Sequence, residues 1–207
     1  MLVDKLIKTA VLSLVSLTSF LALADPNPGE VYINNIVYGG TGCPMGTVAG
    51  DISTDGKAFT LLFDEYAAEI GPGVPYQERR KHCQLTVNIH VPNGWSYTLF
   101  DVDFAGFVDL ERDTKGTLKS VYYFEGQRSN DATFVVSGNG PLTSDYHVKN
   151  SLDIDNFVWS PCGVNRALNV KTSIDVQALR PGRSALATVD SIDGEFTHVY
   201  GIRWRRC

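Results

Sequence analysis

Two pairs of aspartates are the residues most suggestive of chemistry. Asp101 and Asp103 in "LFDVDFAGFVDLERD", and Asp153 and Asp155 in "SLDIDNF", are each spaced i, i+2. On a strand that spacing puts both carboxylates on one face. Like charges so close repel unless a cation or an arginine lies between them, so both pairs are candidate Ca²⁺ sites. Neither matches the D-x-[DN]-x-[DN]-G loop, and Phe157 stands where a third oxygen ligand belongs. The competing assignment is a solvated strand face. No other cofactor is expected. Paired carboxylates also serve glycoside hydrolysis, but 23 acidic residues single out no catalytic pair.

Aromatic residues form a second constellation. Trp95 and Tyr97 share a face at i, i+2, as do Phe157 and Trp159. Trp95, Tyr97 and Trp159 are therefore candidates for stacking on a sugar, with core packing as the competing role. Trp204, flanked by Arg203, Arg205 and Arg206, reads as a cation–π stack. The four histidines, His82, His90, His147 and His198, read as surface residues, with His147 in a loop. No GxSxG is present, and Ser137 in "VVSGNG" is a poor substitute. Triads assemble in space, but nothing here points to one. A β-sandwich copper oxygenase would need a histidine as its mature N-terminus; the expected terminus is Asp25.

The stretch "YGGTGCPMGTVAG" is not a phosphate loop. It lacks the GK[ST] of a Walker A sequence and the third glycine of GxGxxG. Pro44 removes a backbone N–H where a phosphate wants donors. Cys43 instead marks it as an anchored crossing between strands. With Cys83, Cys162 and Cys207 it makes an even count in an exported chain, hence two disulfides. Three pairings are possible. Cys43–Cys83 with Cys162–Cys207 is favoured because sequence-local loops close most readily. Arg79-Arg80 is a dibasic pair that a eukaryotic secretory pathway could cleave; a solvated charge run is the default.

These residues must be positioned by strands. Residues 1–24 read as a signal peptide: Lys5 and Lys8, an apolar run, then Ala22-Leu23-Ala24. The run is too short to span a membrane, so no membrane span is expected after cleavage. Residues 25–207 then form a single domain large enough for its own core. The chain carries −5; losing a leader with two lysines and one aspartate leaves −6, which argues against nucleic acid as a partner. In "CQLTVNIHV", Leu85, Val87, Ile89 and Val91 alternate with polar residues, and "RALNVKTSIDV" does the same. Turn signals such as Asp55-Gly56, Asn93-Gly94, Lys115-Gly116 and Asn139-Gly140-Pro141 separate about ten such segments. The pattern is an all-β antiparallel sandwich. Only "FDEYAAEIG", residues 63–71, looks helical.

The "GTGCP" loop, the F-D-x-Y of Phe63, Asp64 and Tyr66, the C-x-L of Cys83 and Leu85, and the late Cys162 and Cys207 together resemble the secreted-protein family called domain of unknown function 4360. The resemblance spans residues 25–207 and implies a small exported β-rich protein with paired cysteines. It brings no activity, cofactor or catalytic residue. The expectation is a secreted monomer, extracellular or at a bacterial periplasm or cell surface. It binds a polysaccharide or an extracellular protein and does not catalyse. The alternatives are an extracellular hydrolase using carboxylate-rich loops and a non-catalytic structural or inhibitory wall protein.

Overall fold

Period-two alternation recurs through the chain because each strand lays one face on a core. In the computed structural model, which describes residues 25–64, 66–127, 131–162, 164–189 and 196–207, twelve strands form. They are β1 (Tyr32–Gly39), β2 (Val48–Ile52), β3 (Ala58–Phe63), β4 (Ala67–Ile70), β5 (Arg80–His90), β6 (Trp95–Leu110), β7 (Thr114–Phe124), β8 (Ala132–Asn139), β9 (Leu142–Ser151), β10 (Leu168–Ala178), β11 (Ala185–Thr188) and β12 (Phe196–Arg206). The expected leader lies outside the described residues.

The strands make two antiparallel sheets, the sandwich read from the sequence. One runs β1-β5-β10-β7-β8; the other runs β2-β3-β12-β6-β11-β4, with β9 along the remaining edge of β6. Leu85, Val87, Leu168, Val170, Ile174 and Val176 all point inward, as their alternation requires. Opposite them lie Phe59, Phe63, Phe104 and Tyr200 of the second sheet. Three tyrosine hydroxyls in this core find partners across the gap. Tyr200 Oη lies 2.8 Å from Ser120 Oγ, and Tyr66 Oη lies 2.8 Å from Thr172 Oγ1. Tyr122 donates to the Leu99 carbonyl and sits 3.0 Å from Thr98 Oγ1. The two disulfides are Cys43–Cys83 and Cys162–Cys207, with Cα separations of 5.5 and 5.8 Å.

Three local expectations give way to tertiary pairing. The helix-like stretch 63–71 instead ends β3 and forms β4, because Ala67–Ile70 pair with β11 and Tyr66 and Ala68 are buried; a packed ladder outweighs local propensity. The expected loop around His147 is β9, paired with β6 from Leu142↔Leu110 to Ser151↔Asp101. Its mostly exposed side chains carry little apolar alternation. Gly116 lies inside β7, and the β6–β7 reversal falls at residues 111–113. There Asp113 takes φ 63° while its carboxylate faces Arg180 and Arg183, each at 3.6 Å.

Candidate functional site

Strand β12 sends Ile202 and Trp204 into the core and therefore Arg203 and Arg205 outward. This corrects the expected stack of arginines on Trp204. Adjacent strand residues face opposite ways, so Trp204 is buried and donates its indole N–H to the Gly56 carbonyl at 2.8 Å. The outward arginines find other rings. The Arg203 guanidinium lies 4.8 Å from the Phe100 ring and 5.2 Å from Phe157; Arg205 lies 4.2 Å over Trp159. Phe100 and Phe157 are 6.5 Å apart, and Phe157 and Trp159 6.3 Å, edge to face. Phe100, Phe157 and Trp159 are all half-buried. Together they form a strip of rings interleaved with guanidinium groups on the outer face of the larger sheet.

Phe100 reaches this face through a bulge. Gly201 pairs with Asp101 but Ile202 with Leu99, so Phe100 is an extra residue in β6. Leu99 and Val102 both remain fully buried while Phe100 and Asp101 sit between them on the outer side. Gly201 makes room: a Cβ there would lie 2.1 Å from Asp101 Oδ1 and 2.7 Å from the Phe100 ring. Phe157 and Trp159 come from a segment laid along the free edge of β6. The Leu152 N–H donates to the Phe100 carbonyl (2.9 Å), and the Ser160 N–H donates to the Tyr97 carbonyl (2.8 Å). Ser160 Oγ accepts from the Tyr97 N–H at 2.9 Å. Beyond Ser160, Cys162 bonds to Cys207 at the end of β12. The segment that carries Phe157 and Trp159 is thus held to β6 and β12 at both ends.

The other aromatic candidates separate from it. Trp95 and Tyr97 face inward, 6% and 2% exposed, and are core residues; this corrects their assignment as an exposed stacking platform. Trp95 packs edge-on to Trp204 under Arg206, whose guanidinium is 3.9 Å away. Tyr97 abuts Phe124 and Trp204, and its hydroxyl has no hydrogen-bond partner among the described residues.

The aspartates divide in the same way. Asp101 and Asp103 do share the outer face of β6. Asp101 is 4% exposed; its Oδ1 accepts from the Gly201 N–H (2.8 Å) and its Oδ2 lies 2.8 Å from Lys149 Nζ. Lys149, from β9, is held above the ordinary lysine pKa, first by that hydrogen bond and then by the charges of Asp101 and Asp103. The ammonium therefore pairs with Asp101, while Asp103 contributes charge alone and its Oδ1 is buried with no hydrogen-bond partner among the described residues. Asp153 and Asp155 lie not on a strand face but around a short 3₁₀ turn, Ile154–Asn156, both exposed. Among the described residues no three His, Cys, Asp or Glu side chains converge as a metal group.

His198 departs from the surface position expected of it. His198 is 1% exposed, packed edge to face against Phe63 and Phe104 at 5.4 and 4.9 Å. Neither ring nitrogen has a partner among the described residues. Burial pushes its pKa down to about 3, so the ring is neutral. The signal was available: in "FTHVYGI", His198 shares parity with Tyr200 and Ile202. Likewise, the i, i+2 spacing of Arg203 and Arg205, and the apolar phase shift between Leu99 and Val102, marked the strip and its bulge.

Comparison with known proteins adds family and compartment. Residues 29–207 match a family described as a domain of unknown function, DUF4360. An uncharacterized secreted protein of Arthroderma benhamiae is 41% identical over 182 residues, covering 88% of this chain and 74% of that protein. Among solved structures, TmCBM61 in complex with β-1,4-galactotriose aligns over 84% of this chain and 90% of its own, at 9% identity and a TM-score of 0.24. The mannan-recognising module TmCBM27 aligns over 86% and 99%, at 11% identity and a TM-score of 0.26. At such scores neither likeness bears on a ligand. Among the described residues no helix is long and apolar enough to cross a membrane.

Proposed function

The chain belongs to the DUF4360 family, and from that premise we propose that it is a secreted polysaccharide-binding module whose contact surface is the strip Phe100–Arg203–Phe157–Trp159–Arg205. In this reading residues 1–24 are its signal peptide and the rest is one domain acting as a monomer. The observation that supports it is the interleaving itself. Half-exposed rings offer flat apolar area for the C–H face of a sugar and cost little side-chain entropy to hold. Guanidinium groups stacked beside them offer forked N–H donors to hydroxyls. Backbone hydrogen bonds and the Cys162–Cys207 bridge hold the strip in place, which lowers the ordering cost of binding. The hydrolase alternative draws no support from the carboxylate pair that does come together, since Lys149 occupies it.

The test is affinity electrophoresis against neutral polysaccharides (β-glucan, mannan, xylan, galactan), with the wild type and Trp159→Ala and Arg205→Ala side by side. Retardation by at least one polymer, lost in Trp159→Ala, is the expected result. Binding untouched by either substitution would remove the strip from the interface.

A further inference from the structure

The opposite face of the sandwich carries a second surface with a different character. The outward positions of β5, β10 and β7 line up in rungs: Arg80–Asp175–Thr117, His82–Ser173–Lys119 and Gln84–Lys171–Val121. They border a concavity of about 360 Å³. Its charged and titratable lining is Arg80, His82, Lys119 and Lys171, with Gln84 and Ser173 as neutral donors, and no carboxylate lines it. Asp175, at its margin, accepts from Gln177 Nε2 at 2.6 Å. Among the described residues none of Arg80, Lys119 and Lys171 is in an ion pair.

Such a grouping is unexpected on this chain. The protein is net acidic, and like charges on neighbouring strands repel. One wall is rigid. The Thr41 hydroxyl lies 3.1 Å from His82 Nδ1 and accepts from the His82 N–H at 3.3 Å; the Gly42 N–H donates to the His82 carbonyl at 2.9 Å. The Cys43–Cys83 bridge pins the same loop one residue further on.

We propose that this groove binds an acidic polysaccharide, a chain of sugars bearing carboxylates at regular intervals. Arg80, Lys119 and Lys171 stand on three neighbouring strands, each in a different rung, with strands about 4.8 Å apart, so the cations are spread across and along the groove, which suits charges spaced along an extended polymer. The ligand class follows from charge complementarity and from the compartment. A single-stranded nucleic acid would want a row of stacking rings in the groove floor, and the floor here is Val121, Ser173 and Gln84. This site is independent of the aromatic strip.

The experiment is titration calorimetry with sodium polygalacturonate, its fully methyl-esterified form, and a single-stranded DNA oligonucleotide as the competing polyanion. The expected result is binding of the free acid, weakened about tenfold by raising salt from low to several-fold physiological strength, with the ester bound at least tenfold more weakly. Lys119→Gln/Lys171→Gln should lose at least tenfold for the acid, with an unchanged melting temperature as the folding control. Trp159→Ala should retain it, which separates failure of this site from failure of the strip. Equal binding of acid and ester, wild-type affinity in the double variant, or preference for DNA would each overturn the proposal.

Discussion

A Cβ placed on Gly42 would lie 2.1 Å from Cε2 of Tyr66. The glycine-rich loop and the F-D-x-Y segment, far apart in sequence, are therefore one contact. Tyr66 is fully buried and held by its hydroxyl to Thr172, so its ring cannot swing away. Gly42→Ala should destabilise by about 1–3 kcal/mol, the usual cost of overpacking. Urea unfolding reads this directly, and an unchanged midpoint would show that the ring yields.

His198 makes the fold sensitive to acid. Its folded pKa is about 3, whereas a histidine in the unfolded chain titrates near 6.5. Between those values the unfolded state binds the extra proton, so stability falls as pH falls, by about 1.4 kcal/mol per pH unit. About 3 kcal/mol should be gone by pH 4 relative to pH 7. His198→Leu should flatten that part of the stability–pH curve; an identical slope in the variant would place the acid sensitivity elsewhere.

Two buried tyrosines should answer oppositely to loss of the hydroxyl. Tyr200 Oη is bonded to Ser120 across the sheets, so Tyr200→Phe leaves a buried hydroxyl unpaired and should cost about 1–2 kcal/mol. Tyr97 Oη has no partner among the described residues, so Tyr97→Phe should be neutral or stabilising. Thermal unfolding of the two variants decides the matter, and a loss in Tyr97→Phe matching that in Tyr200→Phe would contradict it.

Lys149 fills the position a metal would take beside Asp101. Added Ca²⁺ or chelator should leave the wild-type melting temperature unchanged. A rise of several degrees with millimolar Ca²⁺ would show that the ion displaces the ammonium and would restore the carboxylates as a metal site.

The Cys162–Cys207 bridge closes a loop of 45 residues in sequence separation and ties the Trp159 segment to the end of β12. Cys162→Ser/Cys207→Ser should lower stability by roughly 4 kcal/mol in the loop-entropy view. It should also weaken any ligand held by the strip more than does Cys43→Ser/Cys83→Ser. Equal losses from the two double variants would mean that the bridge serves stability alone.

The fold class was legible because its determinants are local. Alternation between core and solvent is written residue by residue in β5 and β10, and Gly56 and Gly94 mark turns whose positive φ only the short list of turn residues tolerates. The even cysteine count carried the disulfides. Where local signals were weak, tertiary pairing decided: β4 reads as a short helix until β11 lies beside it, and β9 reads as a loop until β6 supplies its ladder.

The candidate site was less legible, because its members come from three separate segments. The sequence by itself determined that Phe157 and Trp159 share a face and that Asp101 and Asp103 sit together. Strand parity is an intrinsic property of the backbone, so it needs no partner. Only the tertiary structure decided which faces meet. The bulge at Phe100, opened by Gly201, turned one ring outward, and the packing of two sheets sent Trp95, Tyr97 and His198 into the core. Parity says that two side chains agree in direction; only the second sheet says whether that direction is inward or toward water.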